Sequence, residues 1–340
     1  MKEKILKILL EADDFVSGQK LCEELQVSRT AVWKAIRRLQ EDGYRIEAVT
    51  NKGYRLTHSS EADVLGQVEL ERVLETLSWA GHPVIFKAQT GSTNEDIFAL
   101  SEQEYPQGTL VAAAAQTRGK GRRGRTWISP ENGNIYMSLL LKPGNDLQPV
   151  QAPMTTLVAA LAVYKALLEL DLPETLRIGI KWPNDVVVSK EGGEFKKICG
   201  ILTEMRMEEM EIRDVVVGIG LNINQTQIPE EVISTATSLK IAADRTICRT
   251  ELTAALWRHF EEDYEAFLSA GDLSPLRETY EGALVNRNRE VRVLDPAGEY
   301  NGTAKGITEA GELIVIRNDD GKEMHIGAGE VSVRGVMGYC

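Results

Sequence analysis

The sequence predicts a multidomain α+β protein, and three observations predict it. Residues 1–58 read as short helices followed by two strand-like runs. From about residue 65 to 280, apolar strand-like runs alternate with helical patterns, as expected of a mixed α/β domain on a large sheet. From about residue 283 the pattern is all-β, with short strands divided by turns. A chain of 340 residues is long enough for two or three domains with separate cores. The expected domains are therefore 1–60, 65–280 and 283–340.

In the head, Ile5, Ile8 and Leu9 recur at helical spacing until Asp13, Asp14 and Gly18 break the pattern. A second helix fits Gln19–Leu25, and Val27-Ser28 makes a turn. Ser28 is a good N-cap for a third helix whose apolar face is Val32, Ile36 and Leu39. The opposite face carries Arg29, Thr30, Trp33, Lys34, Arg37 and Arg38. Gly43 ends that helix, and Tyr44–Ala48 and Tyr54–Leu56 form a hairpin around Asn51-Lys52-Gly53. Helix, helix–turn–helix and hairpin in that order are the layout of a winged helix-turn-helix. DNA binding is expected through Ser28, Arg29, Thr30, Trp33, Lys34 and Arg37, with Lys52 on the wing. The alternative is a helical interaction module with a solvated basic face.

HSSEADV (58–64) reads as a linker. Beyond it, strands are expected at Pro83–Ala88, Leu110–Ala115, Ile135–Leu141, Leu176–Lys181, Asp185–Ser189, Ile198–Glu204 and Val215–Asn222. Amphipathic helices fit Thr155–Leu170 and Arg249–Leu268. The last strands are Glu290–Leu294, Gly302–Ile307, Leu313–Arg317, Glu323–Ile326 and Val331–Arg334, enough for a small barrel.

Composition narrows the function. The formal charge is −12, yet residues 1–58 hold 11 Lys and Arg against 9 Asp and Glu, while the remainder holds 28 against 42. A mildly basic head on an acidic body points to a separate N-terminal role. No apolar run approaches a bilayer span, and MKEKILKILLEADDF lacks the apolar core and cleavage site of a signal peptide, so a cytoplasmic protein with no membrane partner is expected. The four cysteines and four histidines are scattered, and no metal site is expected.

Against that acidic background, GKGRRGRTW (119–127) is unusual. Arg118, Lys120, Arg122, Arg123 and Arg125 fall within eight positions, spaced by Gly119, Gly121 and Gly124. Glycines let the backbone fold closely around a ligand, and arginines offer forked donors for phosphate or carboxylate. An anion-binding loop is expected, with a solvated basic loop or an RNA-binding patch as the alternatives. In IGIKWPNDVVV (178–188), strand alternation turns Lys181 away from the apolar side, toward a pocket or the open surface. GSTNED (91–96) places Ser92, Thr93 and Asn94 between a strand and a helix, where they read as binding groups or as an N-cap cluster. GIGLNIN (218–224) permits close backbone approach but lacks the third glycine of a dinucleotide fingerprint, and the chain has no P-loop.

In this order, GSTN (91–94), QTRGKGRRGRTW (116–127), KWPND (181–185), KICGILTE (197–204) and GIGLNIN (218–224) resemble the biotin–protein ligases. The added winged helix resembles the bifunctional bacterial form, which is also the biotin operon repressor. The resemblance covers essentially the whole chain, and it implies a catalytic domain of the biotin/lipoate ligase type and an SH3-like C-terminal β-barrel ending in EVSVR (330–334).

That resemblance implies two steps. Biotin's carboxylate attacks the α-phosphate of ATP, giving biotinyl-5′-AMP, and a lysine of a biotin carboxyl carrier protein then takes the biotin and releases AMP. ATP and biotin are substrates, Mg²⁺ is expected with ATP, and no tightly bound cofactor is implied. Biotin contacts fall on Ser92, Thr93, Asn94, Gln116, Lys120, Gly121, Arg122 and Lys181. The adenylate side takes Arg122, Arg123, Trp127, Lys181, Asn222 and Arg334. Lys181 and Arg122 are the implied catalytic residues, Lys181 as an electrostatic catalyst bridging carboxylate and phosphate.

Two departures from the family pattern stand in the loop: Lys120 where Arg is usual, and Arg118 in place of a small residue. The adenylate is also the implied corepressor, favouring a homodimer that sets two winged helices on operator DNA. With so little net charge, a single head should bind DNA weakly. Three rivals remain: a lipoate or octanoate ligase, a biotin sensor without ligase activity, and a ligase whose head no longer represses.

Overall fold

The computed structural model describes residues 1–57, 63–131, 133–295, 298–328, 332–335 and 340, with residues 332–334 described by their backbone alone. Linker residues 58–62, the Pro296-Ala297 turn, residues 330–331 of EVSVR and the side chain of Arg334 lie outside the described residues.

The head has α1 (Lys2–Leu10), α2 (Gly18–Leu25), α3 (Arg29–Glu41), β1 (Ile46–Val49) and β2 (Gly53–Leu56). Ser17 and Ser28 cap α2 and α3, their Oγ atoms accepting from Lys20 N–H (3.0 Å) and Ala31 N–H (3.3 Å). The expected apolar faces close into one core of Ile5, Leu9, Leu21, Ile36 and Leu39, with Leu6 more deeply placed than Ile8. Tyr54 exchanges backbone hydrogen bonds with Val16, adding a short third edge to the wing. A Cβ at Gly53, at φ 114°, would collide with the Val16 carbonyl.

The body begins with α4 (Gln67–Leu74), whose Val68 joins the head's core. Next come β3 (Val84–Lys87), α5 (Thr93–Ser101), β4 (Leu110–Ala113) and β5 (Ile135–Leu141). After α6 (Met154–Leu168), the chain forms β6 (Leu176–Lys181), β7 (Asp185–Lys190), β8 (Lys196–Glu208) and β9 (Glu211–Leu221). The helices α7 (Leu239–Ala243), α8 (Arg249–Ala270) and α9 (Arg277–Ala283) follow.

All seven expected strands pair in one sheet of order β3-β4-β5-β9-β8-β7-β6, antiparallel except for the β3–β4 pair. Its apolar face packs on α6 and α8, and the other face receives α5 through Ile97, Val111, Leu140 and Val216. The two-residue alternation of β9 therefore has a purpose. Ile219 and Leu221 enter the core, while Gly218 and Gly220 come up on the opposite face.

The C-terminal strands are β10 (Glu290–Leu294), β11 (Tyr300–Ile307), β12 (Leu313–Arg317), β13 (Glu323–Ile326) and β14 (Ser332–Gly335). They form an antiparallel sheet of order β13-β12-β11-β10-β14. Among the described residues the edge strands β13 and β14 do not pair, so the structure shows an open five-stranded sheet and not a closed barrel. Its inward side chains, including Val291, Ala304 and Val315, merge with the body's core. The joint is pinned by Trp182, whose backbone N–H donates to Asn286 Oδ1 (2.9 Å) and whose indole N–H donates to the Gly311 carbonyl (3.0 Å).

Candidate functional site

A cleft opens where α5, the 116–127 loop and the upper face of β8 and β9 meet. Its floor is glycine. Gly200 pairs with Gly220 across β8 and β9, and Gly218 pairs with Ser138 of β5. A Cβ at Gly218 would overlap the Asn94 amide, and one at Gly220 would overlap the Trp127 indole. The missing side chains are what admit these two groups.

Around the floor runs a connected polar network. Asn94 Nδ2 donates to Glu204 Oε2 (2.7 Å), while Asn94 Oδ1 accepts from Ser138 Oγ (2.5 Å). Thr93 Oγ1 lies 2.7 Å from the same serine oxygen, and Thr93 N–H donates to Gln116 Oε1 (2.9 Å). The Gln116 amide in turn donates to Ser129 Oγ (3.0 Å). Ser92 occupies the N-cap position of α5 but makes no side-chain capping bond. The N-cap alternative therefore fails: Thr93 and Asn94 spend their polar atoms in the cleft network.

Among the described residues, Lys197, Arg122 and Lys120 line the cleft. Lys197 Nζ lies 2.5 Å from Asp185 Oδ1 and 5.1 Å from the centroid of the Trp127 ring. Arg122 donates to Asn184 Oδ1 (3.0 Å) and to the Ala328 carbonyl, joining the loop to both the KWPND turn and the C-terminal domain. Burial holds its pKa below the ordinary arginine value. Lys120 sits at the rim, 2.8 Å from Glu95 Oε1. Trp127 Nε1 is buried and has no hydrogen-bond partner among the described residues, so the indole offers an unused donor inside the site.

Of the residues singled out from sequence, Ser92, Thr93, Asn94, Gln116, Lys120, Gly121, Arg122 and Trp127 line this cleft together. Lys181 does not. Its neighbours across the sheet are Asp185 on β7 and then Gly200 on β8, so it shares the cleft's face but stands two strands, roughly 10 Å, from the floor. Lys197, near the start of β8, brings a further lysine to the cleft.

Asn222 is also outside the lining. Its Nδ2 donates to the Thr237 carbonyl (3.1 Å) and thereby holds the segment after β9. Arg123, at φ 57°, is exposed and away from the lining. Sequence reasoning assigned no role to Lys197, Ser138, Glu204 or Asn184. KICGILTE and KWPND contained three of the four, but no periodic signal separates one lysine or acid of those stretches from another.

On the head, Arg29, Thr30, Trp33, Lys34 and Arg37 form one exposed face of α3. The Arg37 guanidinium lies 5.1 Å from the Trp33 ring centroid, which fixes both side chains. On the wing, exposed Lys52 lies 5.7 Å from the Phe15 ring, beside Arg55 at 4.6 Å.

Comparison with known proteins places all three parts of the chain. Residues 2–55 match an HTH domain, residues 86–222 the biotin/lipoate A/B protein ligase family, and residues 288–334 the biotin protein ligase C-terminal domain. The bifunctional ligase/repressor BirA of Bacillus subtilis is 35% identical over 96% of this chain and 97% of its own. The chain belongs to the biotin–protein ligase family. The BirA of Escherichia coli is 30% identical over 96% of this chain and 95% of its own. Among solved structures, biotin protein ligase from Aquifex aeolicus in complex with biotin and ATP superposes with a TM-score of 0.62 at 31% identity. That superposition covers 74% of this chain and 98% of the other, and so provides a family counterpart for most of the chain.

Proposed function

We propose that this chain is an ATP-dependent biotin–protein ligase whose head represses transcription. The observation that carries the ligase activity is the convergence of Lys197, Lys120 and Arg122 on a glycine floor beside an uncharged polar network. Such a site suits a substrate with one anionic end and one neutral hydrogen-bonding end. Biotin is such a molecule. Its ureido ring meets Thr93, Asn94 and Gln116, and its carboxylate points toward the cations.

The first step joins that carboxylate to the α-phosphate of ATP, which arrives as its Mg²⁺ complex, and releases pyrophosphate. Carboxylate and triphosphate repel, by about 4 kcal/mol for a unit-charge pair 4 Å apart at an effective dielectric near 20. Lys197 and Arg122 offset that repulsion and stabilise the charge that develops in the transition state. Lys197 shares the electrostatic role with Lys181, to which the sequence resemblance assigns it and which lies on the same face of the sheet. Arg122 is held in place by Asn184, and Trp127 covers the adenylate side. The loop excludes water from the mixed anhydride until a lysine amine of a carrier protein attacks it.

The head adds the second activity. Ser28 caps α3 so that Arg29, Thr30, Trp33, Lys34 and Arg37 enter the major groove, and Lys52 meets a phosphate. The adenylate-bound homodimer is the repressing form, in the cytoplasm, on a palindromic operator. The domains are 1–60, 65–280 and 283–340, the last with SH3-like topology, and Arg334 belongs to the adenylate side.

ATP–pyrophosphate exchange with the full chain tests the ligase activity, using biotin, lipoate and octanoate in turn. Exchange that depends on biotin alone is expected. Exchange supported by lipoate or octanoate makes the chain a ligase of another acid, and none at all makes it a sensor. A gel shift in which ligand-free monomer holds operator as tightly as the adenylate-bound form would sink the dimer-dependent repression.

A further inference from the structure

Glu95 stands in the first turn of α5, next to Asn94, and outside the cleft's lining. Its carboxylate gathers two cations from the glycine–arginine loop. One oxygen lies 2.8 Å from Lys120 Nζ and the other 3.1 Å from Arg118 Nη2. Arg118 reaches it by lying across Gly91, where a Cβ would come within 2.8 Å of the guanidinium. Its backbone N–H also donates to the Gly91 carbonyl at 2.8 Å. One acid thus fastens residues 118–120 to residues 91–95.

Lys120 also lines the cleft, so its ammonium has two competing claims: Glu95 and the anionic end of whatever occupies the site. We infer that Glu95 is a positioning residue for adenylation: it parks Lys120 at the rim, and the biotin carboxylate must draw the ammonium away from it. The inference rests on the assignment of the cleft to biotin and ATP.

Two further observations fit an exchangeable contact. The hydrogen bond from Lys120, before any other cause, holds the Glu95 carboxyl below the usual carboxylate range, so it is charged at neutral pH. The side chains of Glu95, Lys120 and Arg118 are 37%, 46% and 73% exposed, which makes the pairs weak and sensitive to salt. A contact broken on each turnover has to be of that kind. A purely structural staple predicts the opposite sign on substitution, because a loosened loop binds its ligand less well.

The test uses the full chain. Biotin affinity by calorimetry, and KM and kcat in pyrophosphate exchange, are compared for wild type and Glu95→Gln at low and high salt. Glu95→Gln is expected to tighten biotin binding and lower KM by about two- to fivefold at low salt, the range of an exposed ion pair. At high salt the gain disappears. In a Lys120→Gln background, Glu95→Gln is expected to change nothing, since the effect passes through Lys120. Weaker binding by Glu95→Gln, or the same gain in the Lys120→Gln background, overturns the proposal. If wild type exchanges pyrophosphate with biotin but Glu95→Gln binds biotin no more tightly, the positioning role alone fails. A wild type without biotin-dependent exchange overturns the assignment of the cleft itself.

Discussion

The cations of α3 and those of the 118–125 loop are both clustered, but they are held in opposite ways. On α3 the backbone supplies the rigidity, so Arg29, Lys34 and Arg37 keep one face whatever their side chains touch. In the loop the glycines remove that rigidity, and side-chain partners restore it: Asn184 and Ala328 for Arg122, Glu95 for Arg118 and Lys120. A helix presents a fixed row of charge to a long, regular polyanion such as DNA. A loop tied by exchangeable contacts can rearrange around one small anion and release it. The two constructions thus suit the proposed template and the proposed reaction intermediate respectively.

The largest expected effect separates the two lysines on the cleft face. Lys197→Ala is expected to lower pyrophosphate exchange by about 10²- to 10³-fold, the cost of removing one preorganised charge from a transition state. Lys181→Ala, two strands away, is expected to cost less than tenfold. Both variants should keep the wild type's ligand-free DNA binding, because α3 is untouched. The reverse order would return the essential role to the lysine of KWPND. A smaller effect probes the head. Lys52→Ala is expected to weaken DNA binding by about three- to tenfold and to reduce the slope of log affinity against log salt by about 1, as for one lost phosphate contact. Exchange measured on the same preparation should stay within twofold, and a parallel loss would tie the two regions more closely than their separate cores imply.

These contrasts also show what the sequence could disclose. Short apolar runs located every strand of the large sheet, because α6 and α8 bury one face and α5 covers part of the other. The turn and capping residues located α3 in the same way. Lys197 was hidden because a lysine near a strand's beginning, beside Lys196, has no periodic signal to set it apart. It enters the cleft through the register that sets Asp185 opposite Gly200. Glu95 was hidden for another reason. An acid in the first turn of a helix reads as a complement to the helix dipole, and only the folded loop shows that it holds Lys120 and Arg118. Closure of the C-terminal strands is a relation between β13 and β14, which no local pattern specifies.

The smallest expected effect lies where head and body meet. Val68 of α4 completes the head's core, Lys7 pairs with Glu71 at 2.7 Å, and the Tyr44 hydroxyl donates to Glu69. Burial raises the Glu69 pKa, opposed by the Tyr44 hydrogen bond and, more weakly, by the charges of Arg72 and Lys2. Folding thus makes this carboxyl hold its proton more tightly. The stability it contributes is complete below its unfolded-state pKa, about 4.3, and is lost as pH rises through the higher folded-state value. Glu69→Gln mimics the protonated side chain and leaves an acceptor for Tyr44. Calorimetric unfolding from about pH 4.5 to 7.5 should therefore show the melting temperature of wild type falling behind that of Glu69→Gln by roughly 1–3 °C as pH rises. Parallel curves for the two proteins would mean that the carboxylate stays ionised at no cost, and that α4 joins head to body through Val68 and the Lys7–Glu71 pair alone.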